Sequence, residues 1–536
     1  MKAKRTLVFL LVVALACTAL AGCGEKKEEA SAVLGELQYT EGYPIQTDKT
    51  LTYYKRLGSV ITEVLADFNE APLAKELIER TGINVEFTHP PVGQEAEDFN
   101  LLLASNDFPD IIETNWFFNN AGPAKLIEDK VILPLNDIFD KAAPNLKALM
   151  SKWDESKLRQ YRAQGNYYAF PGITEGNLGA AYYGVMARKD LLDKHGLGVP
   201  ETIDEWETAL TAFKEDVQYP LQMRLIPSYI EASSDVLVGA YGVSAGYYVD
   251  GDTIKYGPAE PGYRQWVEMM RDWYAKGLIS KDFATVDAKT ISANYLNAEV
   301  GMTIGSNGSD FGSWIPILAK SHPDIELVPV PYPSLEKGKV AEFGQKTVFF
   351  EGAGAAISTH CQDVELAARL LDYAYSKEGG LLYTLGIEGE TYEVVGENQY
   401  KFLPMITDSE NISGQSFSQA IAPYYDGRCY CFEAAYDTYM AEFYTNPINL
   451  AAARLWGTTK AELHKLPKLT FNSADSDRVS MLKTDITTYV DENIVAFITG
   501  AASMDNYDAY LAGLESMGVK DVIAIYQAAY DEYLKN

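Results

Sequence analysis

Apolar and polar positions along the 536-residue chain fall into successive regimes. Leu7 to Leu20 is an almost unbroken apolar run behind Lys2, Lys4 and Arg5, shorter than the roughly 20 residues that span a bilayer. A charged start and a short apolar run read as an export signal over residues 1–22, not as part of a fold. After the polar stretch Gly24 to Ser31 the pattern becomes periodic. Leu51 to Arg80 carries helix signals, with Gly82 as the stop residue, and Ile83-Asn84-Val85-Glu86-Phe87 then alternates as a strand does. A helical stretch from Glu95 to Ala104 precedes Phe108 to Ile112, a short apolar strand. The alternation recurs, with predicted strands over 181–187 and 300–304 and predicted helices over 201–214, 262–276 and 364–376. Helices alternating with short strands predict α/β architecture with parallel strands. From about Asp475 the chain reads as all-helical: Val479, Leu482, Ile486, Val490 and Phe497 share one face, and Val522, Ile525, Tyr526, Ala529 and Tyr533 another. Trp266, Met269, Met270 and Trp273, spaced i, i+3, i+4, i+7, read as core, as does Trp206 with Leu210 and Phe213.

Charge narrows the function. With 45 Lys and Arg against 75 Asp and Glu, the formal net charge is −30, and such a chain is repelled by nucleic-acid phosphates. Tyrosine is abundant (36, beside 21 Phe and 7 Trp), and it joins an apolar face to a polar tip, which suits polar ligands as well as core edges. Of five cysteines, Cys17 falls in the signal and Cys23 just after it. The remaining Cys361, Cys429 and Cys431 are an odd number, which is no disulfide framework. Cys429-Tyr430-Cys431 has no second ligand pair for a metal, so buried or free thiols are expected.

Catalytic motifs do not account for the sequence. Gly242-Val243-Ser244-Ala245-Gly246 fits G-x-S-x-G, but a nucleophile elbow needs a strand before the serine and a helix after it, and here a strand follows. His89, His195, His322, His360 and His464 lack an i, i+4 partner, and no Gly-rich loop with a following lysine is present. A glycosidase needs only two suitably separated carboxylates, which spacing cannot reveal, so that reading stays open.

Leu20-Ala21-Gly22-Cys23 resembles the lipobox of bacterial lipoproteins, whose cysteine is diacylated; the resemblance implies lipidation at Cys23 and a flexible tether over 23–48. Further segments resemble extracellular solute-binding protein family 1, the receptors of carbohydrate-type ABC importers. Thr81-Gly82-Ile83-Asn84-Val85 with Ala104-Ser105-Asn106-Asp107-Phe108-Pro109-Asp110-Ile111-Ile112 looks like its first-lobe signature. Tyr168-Ala169-Phe170-Pro171 looks like the first crossing between lobes. Met186 to Leu192, Pro200 to Trp206, Gly277-Leu278-Ile279, Gly301 to Ile304 and Gly352 to Thr359 continue the match in order, and the tail from Ala496 to Tyr530 is similar to long members. The resemblance implies an α/β fold: a two-lobed, periplasmic-binding-protein-like clamshell of type II with interlobe crossover segments and a helical C-terminal region. Lobe 1 would comprise 49–170 with 352–400, and lobe 2 171–351 with 401–536. It implies a monomeric, non-enzymatic receptor on the extracytoplasmic face of a bacterial membrane, passing a carbohydrate to ABC permease subunits, with no cofactor. A receptor for a peptide or another small nutrient, and a secreted glycoside hydrolase or lyase, are the alternatives. Some long relatives carry a calcium loop after the helix that begins near Thr202; here Lys214-Glu215-Asp216 runs straight into Val217-Gln218-Tyr219-Pro220, so no metal is expected.

A sugar needs aromatic platforms and polar partners. Asn115 and Trp116, just past the Asp110-Ile111-Ile112 strand, stand where cleft residues of an open α/β sheet belong. Asn307 and Trp314 follow the Gly301 to Ile304 strand in a polar, Gly-rich loop. Tyr183, Tyr229 and Tyr247 are second-lobe candidates, and Tyr424 is a further one.

Overall fold

The structure, a computed structural model, describes residues 34–536 apart from Thr40, 118–121, 175–177, Ala180, 225–234, 348–351, 409–415, 427–429, Phe432 and Thr445. Nine strands build its two larger sheets: β1 (Thr50–Lys55), β2 (Asn84–Thr88), β3 (Ile111–Asn115), β4 (Phe170–Pro171), β5 (Tyr183–Arg188), β6 (Tyr219–Gln222), β7 (Val300–Ser306), β8 (Leu327–Val330) and β9 (Ala353–Ile357). The first sheet has the order β2-β1-β3-β9-β4 and the second β8-β5-β7-β6. β1 runs parallel to β2 and β3, while β9 lies antiparallel between β3 and β4. In the second sheet β7 is parallel to β6 and antiparallel to β5, which also pairs antiparallel with β8. The sheets are therefore mixed, not purely parallel. Each carries its own apolar core, one built around Ile111, Ile112, Leu146 and Ala356, the other around Met186, Trp206, Trp266 and Met302. This is a two-lobed α/β clamshell, in which the chain crosses after β4, crosses back before β9, and crosses once more farther on.

The stretch read from sequence as helix from Leu51 is a strand at its start. Thr50 and Thr52 face out while Leu51 and Tyr53 face the core, and Thr and Tyr suit a pleated, half-buried surface. The helix α1 (Pro72–Thr81) comes later and ends on Gly82, which has φ +71°. A Cβ at Gly82 would lie 2.3 Å from the Ile45 carbonyl oxygen, so glycine is required there for backbone geometry and for contact. α2 (Glu95–Ser105) follows as expected, and the next strand starts at Ile111, three residues beyond the predicted onset at Phe108.

Two expected boundaries shift. From Leu34 onward the supposed tether is packed on lobe 1: Leu34 and Ile45 are buried, and Ile45 N–H donates to the Thr81 carbonyl at 2.8 Å. The nearby helices α3 (Pro144–Met150), α4 (Ile203–Phe213), α5 (Pro261–Lys276) and α6 (Gly312–Ser321) cover the sheets, and α7 (Val364–Tyr373) holds the N-terminal segment. Residues 401–435, placed with lobe 2 by the sequence reading, pack against α8 (Lys377–Leu385): Phe402, Ile406, Ile421 and Ala435 share a cluster with Leu381, Leu385 and Tyr392. That cluster includes α9 (Phe417–Ile421) and the base of α10 (Glu433–Phe443). The chain rejoins the second core only in α11 (Pro447–Trp456), through Ala452 and Trp456. The helical tail is as predicted, with α12 (Ser473–Thr499) burying Val479, Ile486, Val490 and Phe497 in the lobe 2 core, followed by α13 (Tyr507–Ser516) and α14 (Val519–Tyr533). Among the described residues no helix is long and apolar enough to cross a membrane.

Candidate functional site

A cavity of about 480 Å³ opens beyond the carboxyl end of β1. Its floor is Lys55 with Arg56, Leu57 and Phe68, and its far wall is Ser418, Ala422, Tyr425 and Asp426 together with Tyr439 and Phe443 of α10. This is where an open α/β sheet places ligands. Tyr425 stacks on Tyr439 with ring centroids 4.5 Å apart and planes 10° from parallel, and Phe443 continues the row nearly coplanar, 13° from Tyr439. Phe443 is 38% exposed, a large apolar ring presented to solvent. Spacing of i, i+3 and i+7 puts Tyr436, Tyr439 and Phe443 on one face of α10.

At the floor lies a buried charge network. Lys55 Nζ lies 2.7 Å from Glu113 Oε2 and also pairs with Asp426. Tyr53 donates its phenol hydrogen to the same Glu113 oxygen at 2.9 Å, and the Phe68 ring centroid is 5.2 Å from the Lys55 ammonium. Register fixes half of this, since Lys55 and Glu113 are directly opposed partners of parallel β1 and β3. A buried ammonium is tolerable only with such partners.

A second cavity, about 280 Å³, opens beyond the carboxyl end of β7 and is lined by Tyr182, Tyr183, Arg224, Ser306, Asp310 and Trp314, among others. The structure thus brings together Tyr183 and Trp314, two of the residues expected from sequence. The two cavities are neighbours across Phe443: a Cβ built on Gly308 would lie 2.7 Å from Phe443 Cε1, and Gly308 belongs to the turn that supplies Ser309 and Asp310 to the second cavity.

Other expected residues lie elsewhere. Trp116 has no exposed surface; its indole N–H donates to the Gly354 carbonyl at 3.0 Å and its ring meets Phe99 edge-on, so it serves the lobe 1 core. The strand end was read correctly, but the side chain turns inward. Asn115 is half-buried beside it and accepts the Phe117 N–H at 3.1 Å. Asn307 is fully buried and exchanges hydrogen bonds with Asn449, Nδ2 of each donating to the other's carbonyl at 2.8 Å, which fastens α11 to the end of β7. Tyr247, on a two-stranded hairpin of lobe 2, is stacked between Tyr256 (4.4 Å) and the helical Tyr526 (4.8 Å), on a small third cavity. Tyr424 donates to Glu390 at 2.9 Å, and burial with that carboxylate pushes its phenol up to about 12; its neighbour Tyr425 is the one that faces the cavity. Tyr229, Cys23 and Cys429 lie outside the described residues. Cys361 is a free, buried thiol whose burial raises its pKa to about 12.

Sequence reasoning missed Lys55, Arg56, Asp426, Tyr439 and Phe443. The aromatic spacing in α10 was a usable signal, though the same spacing in Trp266 and Trp273 marks core.

Ser244 does not make a catalytic pair. A 3₁₀ turn precedes it, a strand follows it, and its Oγ accepts the Gly246 N–H at 3.3 Å. His464, on the same small cavity, directs Nδ1 at the Val249 carbonyl and stacks on Phe343. In the stretch from Lys214 to Pro220, Asp216 pairs with Lys194 and His195. Among the described residues no three His, Cys, Asp or Glu side chains gather as metal ligands.

Comparison with known proteins agrees with the two-lobed fold. The chain is similar to the fructooligosaccharide ABC transporter substrate-binding protein FusA of Streptococcus pneumoniae, 25% identical with 98% of each chain covered. It is 26% identical to the lipoprotein LipO of Bacillus subtilis over 61% of this chain and 65% of that one. Its fold matches that of an HMO-binding, ABC-transporter-associated solute-binding protein from Bifidobacterium longum infantis, at a TM-score of 0.67 and 19% identity, covering 90% of this chain and 99% of the other. The sequence model of the bacterial extracellular solute-binding proteins matches residues 62–381, more than half of the chain, and the chain belongs to that family.

Proposed function

We propose that the protein captures a carbohydrate, an oligosaccharide in particular, in the cleft formed by the two cavities and delivers it to an ABC importer permease. The observation that carries this reading is the stacked Tyr425–Tyr439 pair and the exposed Phe443 ring set beside the Lys55, Arg56 and Asp426 side chains: apolar aromatic surface for sugar C–H groups, with charged hydrogen-bond partners at its edge. The cavities, about 480 and 280 Å³, suit more than one sugar ring. The names of FusA and of the Bifidobacterium protein, both attached to ABC transport and one to a fructooligosaccharide, support it further. The reading includes a non-enzymatic monomer held at the extracytoplasmic membrane face by lipid on Cys23, which the lipoprotein relative supports.

Calorimetric titration of the purified protein with short fructooligosaccharides is expected to give saturable 1:1 binding and recovery of intact sugar. Products released at catalytic protein levels would replace the receptor reading by the hydrolase one. Tyr439→Ala should weaken binding by about tenfold or more, equivalent to at least ~1.4 kcal/mol, because Tyr439 is the centre of the row.

A further inference from the structure

Binding a charged sugar in a buried cleft requires a counter-charge that is not already engaged. Resting on the carbohydrate reading above, we propose that the cleft is built for an uncharged glycan and that Asp426 is the residue that turns carboxylated sugars away.

Among the described residues, the cations on the two cavities are Lys55, Arg56 and Arg224. Each has an anion beside it. Lys55, with 4% of its side chain exposed, is met by Glu113 from the neighbouring strand and by Asp426 from across the cavity. Glu113 is not part of the cavity surface, whereas Lys55 and Asp426 both are, so a ligand at this end meets the ammonium together with its second carboxylate. Asp426 is held there independently of Lys55, its own N–H donating to the Tyr383 carbonyl at 2.8 Å. The Lys55, Glu113 and Asp426 group thus carries one net negative charge, and Arg56 beside it is matched by Glu95, whose Oε1 lies 3.6 Å from its Nε. In the second cavity Arg224 interacts with the Asp287 carboxylate, and Asp310, on the same lining, is fixed by the Ser306 N–H at 2.7 Å.

Donors and acceptors alternating in this way satisfy hydroxyl groups, each of which both donates and accepts. A uronate reaching the ammonium would meet the Asp426 carboxylate beside it, and its desolvation would go uncompensated. A glucosamine unit would find each carboxylate already engaged by a lysine or a backbone N–H. The −30 charge of the whole chain does not decide this, because surface charge is screened over roughly 10 Å in salt whereas cleft charge is not.

The test titrates the mature protein with three probes of matched length: a neutral fructooligosaccharide, an oligouronate and a glucosamine oligomer, each at low and at high salt. The expected result is binding of the neutral probe with less than about a twofold change in Kd between salts, and no saturable binding of the charged probes. Preference for either charged probe overturns the inference and leaves the carbohydrate reading standing; failure of all three overturns both. Asp426→Asn is expected to raise the ratio of oligouronate to neutral affinity by about tenfold or more, and Asp426→Glu, which keeps the charge, to hold the wild-type ratio. An unchanged ratio in the Asn variant overturns the role of Asp426. Should that variant fail to fold, tighter oligouronate binding by the Glu variant than by the wild type would overturn it instead.

Discussion

Asp372 illustrates how one buried carboxylate sets a pH dependence. It lies on α7 and caps the start of α3, accepting the Asn145 N–H at 3.1 Å, the Leu146 N–H at 2.8 Å and the Asn145 side-chain amide at 2.9 Å. It has no exposed surface, and burial outweighs those donors, raising its pKa from 3.8 to about 6. Because the folded-state value is the higher one, native lobe 1 holds a proton between about pH 4 and 6 that the unfolded chain has already released. The stability this contributes is complete below pH 4 and is lost as the pH rises through 6, a change of up to about 3 kcal/mol. Asp372→Asn stays neutral throughout. Urea denaturation of both proteins from pH 4 to 7 should therefore show the stability difference moving in the variant's favour by that order; a difference independent of pH would refute the assignment.

At the scale of elements, α11 ties the returning chain to the second sheet through Trp456 as well as through the Asn307–Asn449 pair. Trp456 is fully buried, its indole N–H donates to the Val330 carbonyl at 3.0 Å, and its ring covers Gly184 of β5. A Cβ on Gly184 would lie 2.1 Å from Trp456 Cε2, so Gly184→Ala must lift the helix or displace the ring. Overpacking of this kind costs about 1–3 kcal/mol. A matching fall in denaturation midpoint is expected, and an unchanged midpoint would mean that α11 is not held by this contact. The contact joins residues 272 positions apart, which explains why it was not legible in sequence. Local periodicity was legible: the helices at 95–105, 203–213, 261–276 and 473–499, the strand at 84–88 and the core faces all follow from spacing. β1 was not, because burial of Tyr53, Tyr54 and Lys55 in succession breaks the alternation. For the site, position was legible and orientation was not. Trp116 follows a strand end as predicted yet turns into the core, whereas the stripe in α10 shares its spacing with core stripes and faces a cavity. Only tertiary packing distinguishes the two.

For the whole molecule, the lipid anchor proposed at Cys23 would set which lobe is tethered. α7 straps the N-terminal segment down: Glu365 accepts the N–H groups of Gln38 (2.6 Å) and Tyr39 (3.0 Å), and Arg369 donates to the carbonyls of Tyr39 (3.0 Å) and Glu41 (2.7 Å). With lipid on Cys23, only the ten residues 24–33 separate the anchor from lobe 1, a reach of at most roughly 35–40 Å, where a chain free to residue 48 could span about twice that. On that proposal lobe 1 would be the tethered half, and lobe 2 the half free to swing about the crossings. Repulsion of the acidic body from an anionic membrane would add little beyond the roughly 10 Å screening length, so covalent reach governs the geometry. Glu365→Ala removes both acceptor bonds, each worth about 1.5–3 kcal/mol when an ionised carboxylate accepts. Hydrogen exchange at the Gln38 and Tyr39 amides should then accelerate by about tenfold or more, while ligand affinity, set in the cleft, stays within about twofold. Unchanged exchange would show that Glu365 does not hold the segment and would return 34–48 to the tether.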